Sequence, residues 1–161
     1  MDQAAPSSGK DDALVLERFL PYRLAVLAHT VSGALSTIYR DRFDLTIPEW
    51  RVLANLGREE PSSSNRLAER GSMDKAKVSR AVARLTEAGL ITRETDSRDN
   101  RLIVLRLSKR GRSVYQRIAP LALAWEADLL EGLGDEERAA LDAALAKLQA
   151  RAEALKGEAG G

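Results

Sequence analysis

Lys77, Arg80 and Arg84 recur at intervals of three and four residues. On a helix turning about 100° per residue, their cationic ends fall within about 60° of one another. Val78, Ala81, Val82 and Leu85 take the other side of the same helix. A packed face backed by a row of cations points to recognition of a polyanion rather than to bond-making chemistry.

Other reactive groups are scarce. The chain has no cysteine and one histidine, His29. Disulfides, thiolate nucleophiles and thiol sensing are therefore excluded, and a transition-metal site would need an almost all-carboxylate ligand set, which suits zinc poorly. There is no Gly-x-Ser-x-Gly elbow and no phosphate-binding glycine fingerprint. The sequence predicts a protein that is not an enzyme and has no metal or cofactor.

The net charge of +1 conceals a strong asymmetry. Between Ser63 and Arg110 lie twelve Lys and Arg against six acids, a balance of +6, whereas the remaining residues hold 13 basic and 18 acidic groups, a balance of −5. A basic centre between acidic ends favours a nucleic-acid partner over an evenly solvated surface.

Several elements must position this centre. Leu20, Leu24, Leu27, Val31, Leu35 and Ile38 form one stripe of a long helix ending near Arg42. Its opposite face, with Tyr22, Val26, His29, Gly33 and Ser36, is too apolar for open water, so the helix is expected to pack on two sides and to bridge two bodies. Thr46-Ile47-Pro48-Glu49 reads as a capping box opening a second helix through Trp50, Leu53 and Leu56 to Gly57. Ser63 caps a short helix from Ser64 to Arg70, Gly71-Ser72-Met73 turns the chain, and Asp74 caps the cationic helix, which Gly89 ends. Two short helices about a glycine-containing turn are the sequence form of a helix-turn-helix.

Leu90 to Glu94 and Arg101 to Leu107 are β-prone, and the polar stretch Thr95 to Asn100 joins them as a hairpin. Following the cationic helix, this hairpin is a wing whose tip carries Arg98, a side chain suited to a narrow minor groove. Ser108 caps a final helical section. It carries the stripe Val114, Ile118, Leu121, Trp125 and Leu129, with a kink expected at Pro120, then a break at Gly132-Leu133-Gly134. A second stripe follows at Leu141, Leu145, Leu148, Ala152 and Leu155. These faces exceed what one small domain needs to cover itself, which points to a dimer.

The predicted fold is mainly α with a small β-hairpin wing, an α+β winged helix-turn-helix with long N- and C-terminal dimerisation helices. Residues 1–13 are expected to be a disordered tail, 14–44 and 108–156 the dimerisation region, 45–107 the DNA-binding domain and 157–161 a flexible end. Residues 1–12 lack the basic-then-apolar order of a secretory signal, and the uncharged stretch from Leu24 up to Arg40 is interrupted by His29, Thr30, Ser32, Ser36 and Thr37. No membrane span and a cytoplasmic location are expected.

Leu45-Thr46-Ile47-Pro48-Glu49-Trp50-Arg51-Val52-Leu53, Leu67-Ala68-Glu69-Arg70, Val78-Ser79-Arg80 with Leu85 and Gly89-Leu90, Asp99-Asn100-Arg101, Leu107-Ser108-Lys109-Arg110-Gly111, and Gly132-Leu133 with Glu136-Glu137 together resemble the MarR family of bacterial winged-helix regulators. The resemblance implies a homodimer on a pseudo-palindromic operator in double-stranded DNA, with residues 74–88 as the recognition helix. Lys75, Lys77, Ser79 and Arg80 become the readers, with Lys and Arg suited to guanine O6 and N7, whereas Ser79 and the start of the helix opened by Ser63 and Ser64 are suited to phosphate, and Lys109 is a phosphate contact. Asn100 contacts DNA, and Arg84, with Arg101 beside it, contacts DNA or else braces the wing through Asp99. Gly134 stands where many relatives have Ser or Thr, so Asp135 is expected to cap the last helix.

The absence of cysteine sets aside the thiol-sensing branch and the single histidine disfavours the zinc-sensing one, which leaves a regulator that responds to a small organic ligand or to none. In the family, ligands often occupy a cleft between the first two helices and the start of the long fifth helix. Those segments supply Arg23, His29, Trp50 and Arg51, a set suited to an aromatic carboxylate. Trp50 packed in the core, Arg51 in an inter-helix contact and His29 hydrogen-bonded internally are the competing structural roles. The Leu20-Pro21-Tyr22-Arg23 and Ile47-to-Arg51 runs resemble members that respond to hydroxycinnamate-type aromatic acids or their coenzyme A thioesters. The alternative is a winged-helix module that uses its basic face for a protein partner and binds DNA weakly without specificity.

Overall fold

The computed structural model describes residues 14–96, 99 and 102–158. Six helices are present among these residues: α1 (Leu20–Phe43), α2 (Ile47–Arg58), α3 (Ser64–Arg70), α4 (Lys75–Glu87), α5 (Lys109–Leu129) and α6 (Asp135–Glu158). A 3-10 turn at Leu16–Arg18 precedes α1, and strands β1 (Ile91–Thr95) and β2 (Ile103–Leu107) lie between α4 and α5. The chain forms two compact units, one ending at Tyr115 and the other beginning at Gln116.

Local chemistry sets most boundaries in the first unit. Glu49 Oε2 accepts the Thr46 N–H at 2.8 Å, closing the predicted box over α2. Ser63 Oγ accepts from Arg66 N–H at 3.3 Å and Asp74 Oδ1 from Lys77 N–H at 2.7 Å, so α3 and α4 both start on their predicted caps. Gly89 ends α4 with φ 68°, a left-handed turn for which glycine carries no side-chain penalty. α4 buries Val78, Ala81, Val82 and Leu85. They join Leu53 and Leu56 of α2, Leu67 of α3, and Ile91, Leu105 and Leu107 of the hairpin in the buried core.

β1 and β2 pair antiparallel, with Ile91 opposite Leu107 and Thr95 opposite Ile103. Ser62 adds a bridge to Leu105, through Ser62 N–H to Leu105 C=O at 3.1 Å and Leu105 N–H to Ser62 C=O at 2.8 Å. The first strand starts one residue later than the sequence suggests, because Leu90 N–H closes the end of α4 on Leu85 C=O. The second starts at Ile103; Arg101 lies outside the described residues. Ser108 Oγ accepts from Gly111 N–H at 2.9 Å, the predicted cap of α5. A β-carbon on Gly111 would stand 1.9 Å from the Leu90 carbonyl oxygen, so only glycine lets the first turn of α5 approach this close.

In the second unit α5 continues as helix through Pro120. Asp135 does not cap α6. It is the first helical residue, and Gly134 is the cap position, its N–H donated to Glu137 Oε2 at 2.9 Å. A glycine cap loses the side-chain half of a capping box but keeps the glutamate half. Arg138 reaches back to the carbonyls of Leu130 and Leu133 at 2.7 and 3.0 Å, satisfying acceptors left open where α5 ends. Gly157 and Glu158, expected in a flexible end, are the last residues of α6.

Every residue from Leu14 to Thr30 is exposed in the single chain, and no residue of α6 is buried. Among the described residues no helix is long and apolar enough to cross a membrane, and no group of His, Asp or Glu is placed to hold a metal ion.

Candidate nucleic-acid interface

α4 presents Lys75, Lys77, Ser79, Arg80 and Arg84 to solvent, all five exposed. Lys75 and Lys77 flank the outward face, and Ala76, Ser79, Arg80 and Ala83 lie between them by helical position. This centre is low in relief apart from Arg80, which suits entry into a groove. Neither Lys75 nor Arg80 has an ion pair among the described residues. Lys77 pairs with Asp74 at 3.2 Å, but both side chains are more than half exposed, so the contact is weak and exchangeable. The Lys77 N–H donated to Asp74 also holds that carboxyl below its ordinary range.

Arg84 has a different partner from the expected one. Its Nε stands 3.2 Å from Glu49 Oε1 of α2, not against Asp99 of the wing. A cleft of about 380 Å³ opens there, lined by Thr46, Pro48, Glu49, Lys77, Arg80 and Arg84 among others. Besides its capping role, Glu49 thus has a partner on a second helix. Its long-range partner left no periodic signal, although the apolar residues around it, Ile47, Trp50, Val52 and Leu53, marked a segment about to be buried.

Around this helix the scaffold is cross-linked. Ser63 Oγ is engaged in capping α3, while Ser64 is exposed beside it. Glu59 pairs with Arg66 at 2.9 Å and with Arg70; the Arg70 hydrogen bond, chiefly, keeps its carboxyl below the usual range. Glu60 accepts the Leu107 N–H at 2.8 Å and pairs with Arg112, tying the end of β2 to α5. Arg110 donates to the Ala88 carbonyl at 3.0 Å, whereas Lys109 is exposed and without an ion pair among the described residues. Arg98, Asn100 and Arg101 of the wing lie outside the described residues.

The four residues suggested for an effector lie in different surroundings, two on α1 and two on α2. Trp50 is buried, its ring stacked with Tyr39 at 5.5 Å and Tyr115 at 6.2 Å between centroids. Burial also raises the Tyr39 phenol above its ordinary pKa, against the opposing pull of Arg51 and Arg40. Arg51 is half-buried and spans two elements, donating to Ser32 Oγ of α1 at 3.3 Å and to the Gly71 carbonyl at 3.4 Å. His29 is exposed one turn before Ser32, on the same side of α1. Arg23 is exposed further along α1, in a concavity of about 490 Å³ with Glu17, Leu20, Tyr22, Leu27 and Thr30.

Two short helices about a turn, the second with a cationic outer face, and a two-stranded hairpin directly after them define a winged helix-turn-helix. Residues 43–102 match the model of the MarR family. A MarR-family transcriptional regulator from Silicibacter pomeroyi DSS-3 has a solved structure 30% identical to this chain, with 85% of this chain and 97% of that one covered and a TM-score of 0.74. A MarR/EmrR-family transcriptional regulator from Acinetobacter sp. ADP1 reaches a TM-score of 0.81 at 27% identity, covering 87% of this chain and 99% of that one. An uncharacterized HTH-type transcriptional regulator of Bacillus cereus is 28% identical over 106 residues, 66% of this chain and 70% of its own length. This chain belongs to the MarR family of transcriptional regulators.

Proposed function

We propose that this protein is a homodimeric DNA-binding repressor that occupies a pseudo-palindromic operator and is released by a small aromatic acid or its coenzyme A thioester. The observation that carries the reading is the outward face of α4, where Lys75 and Arg80 are uncompensated beside the exchangeable Lys77. Uncompensated cations on a helix that protrudes from a rigid core suit base-edge and phosphate contacts. In this reading Lys75, Lys77 and Arg80 read base edges in the major groove, and Ser79 beside them meets phosphate. Ser63, Ser64 and Lys109 hold phosphates, Arg98 enters the minor groove, and Asn100 and Arg101 belong to the wing's contacts.

Residues 45–107 are the DNA-binding domain, and 14–44 with 108–156 the dimerisation region. The exposed apolar side chains of α1, α5 and α6 support this division, among them Leu24, Leu27, Leu123 and Leu145. A second copy would remove them from water.

Release is assigned to Arg23, His29, Trp50 and Arg51. Arg51 supports this, since it joins α1 to the turn between α3 and α4. A carboxylate that recruits its guanidinium would free the Gly71 carbonyl and favour a spacing of the two recognition helices unsuited to successive major grooves about 34 Å apart.

The test is a titration of the purified protein against its own upstream intergenic DNA and a scrambled control at fixed physiological salt, with and without aromatic acids and their coenzyme A thioesters. Selective binding with a dissociation constant of roughly 10⁻⁸ M or tighter, relieved by one compound, is expected. Equal binding near 10⁻⁴ to 10⁻⁶ M on both duplexes would refute the reading in favour of a protein-interaction module.

A further inference from the structure

Glu49 is a carboxylate with its side chain 4% exposed, and both of its oxygens are occupied. Oε2 takes the Thr46 N–H at the start of α2, and Oε1 stands 3.2 Å from Nε of Arg84 of α4 as an ion pair. Arg84 is 58% exposed. The contact therefore runs from a buried, fixed anion to the inner nitrogen of a guanidinium that otherwise stands in solvent.

Nε carries one of the five guanidinium N–H donors, and the two terminal nitrogens carry the other four. An ion pair at Nε draws that edge of the group toward Glu49 and leaves the terminal fork turned away from it. No other ion pair or hydrogen bond occupies that fork among the described residues, and it shares its helical face with Lys77 and Arg80. A free arginine on a helix surface samples many rotamers, and that freedom must be given up when it binds; a carboxylate that orients it beforehand removes part of this cost.

We propose that Glu49 is a positioning residue for DNA recognition, holding Arg84 through Nε so that its terminal nitrogens meet a paired acceptor on DNA. This rests on the reading of α4 as the recognition helix. The acceptor is either the two oxygens of a phosphate or the O6 and N7 of a guanine, and both match a planar fork.

The test uses the full-length protein and a duplex selected from a random pool by the wild type, with a scrambled duplex beside it. Glu49→Gln keeps an amide oxygen for the Thr46 N–H but weakens the hold on Arg84, and is expected to reduce affinity for the selected duplex about fivefold to tenfold. Arg84→Ala is expected to cost at least as much, and Glu49→Gln added to it nothing further. A purely structural role of Glu49 would instead lower affinity in both backgrounds, so losses that multiply in the double variant overturn the proposal.

Arg84→Lys supplies an independent arm, because this exposed residue keeps its charge without the fork. Binding like Arg84→Ala supports orientation of the fork, and binding like the wild type overturns it. Loss confined to one position of the selected duplex identifies a guanine, and equal proportional loss on the scrambled duplex identifies a phosphate. A wild type that selects no sequence refutes the DNA-reading assignment itself, an outcome distinct from a selective wild type indifferent to Glu49.

Discussion

Replacing Arg80 with alanine separates recognition from folding more cleanly than any other substitution on α4. Arg80 is exposed, has no ion pair among the described residues, and sits on the side of α4 opposite Val78, Val82 and Leu85. Its removal should leave stability within about 0.5 kcal/mol of the wild type, the usual range for a surface site without partners. A bidentate contact to a base is worth about 1 to 3 kcal/mol of discrimination, which is about 5-fold to 150-fold in affinity.

Fluorescence anisotropy on a selected duplex and a scrambled one, at two salt concentrations, reads both effects. For a base reader, affinity falls on the selected duplex and preference relaxes at one position, while the scrambled duplex is much less affected. A phosphate contact would instead lower affinity on both and reduce the magnitude of the salt slope by about 0.9. Equal losses on the two duplexes would remove Arg80 from the readers, and a large drop in melting temperature would refute the claim that its side chain is free of structural work.

Three further outcomes follow from the geometry. Gly111→Ala drives a β-carbon into the Leu90 carbonyl and should destabilise the first unit by at least about 2 kcal/mol, read by chemical denaturation; a neutral effect would contradict the close approach. The Asp74 carboxyl titrates below its ordinary value because it accepts the Lys77 N–H. Its contribution is present above the unfolded-state pKa and is lost as pH falls through the lower folded-state value, so Lys77 amide protection should drop below about pH 4 in the wild type and less so in Asp74→Asn, and identical profiles would refute the linkage. Leu27→Glu on the exposed stripe of α1 should convert a dimer to a monomer in sedimentation experiments while leaving helicity intact, and an unchanged dimer would move the interface elsewhere.

How much was legible from the sequence depended on distance along the chain. α2, α3, α4 and α5 begin where Thr46, Ser63, Asp74 and Ser108 said they would, because a cap acts on amides two or three residues away. The cationic face of α4 was likewise legible, since helical period alone places Lys77, Arg80 and Arg84 together. Only the cap of the last helix departs from the expectation, because Gly134 takes the cap position in place of Asp135 and its N–H is donated to Glu137.

What the sequence alone determined, then, is the order of elements, the amphipathic cationic helix α4 and the exclusion of thiol chemistry. These depend on residue type and on spacings within a few turns. The tertiary structure decided that Trp50 lies between Tyr39 and Tyr115, that Arg51 spans α1 and the Gly71 turn, and that Arg84 answers to Glu49 rather than to Asp99. Each of these joins residues far apart in the chain, and their meeting depends on how helices pack around a shared core, which no local periodicity encodes.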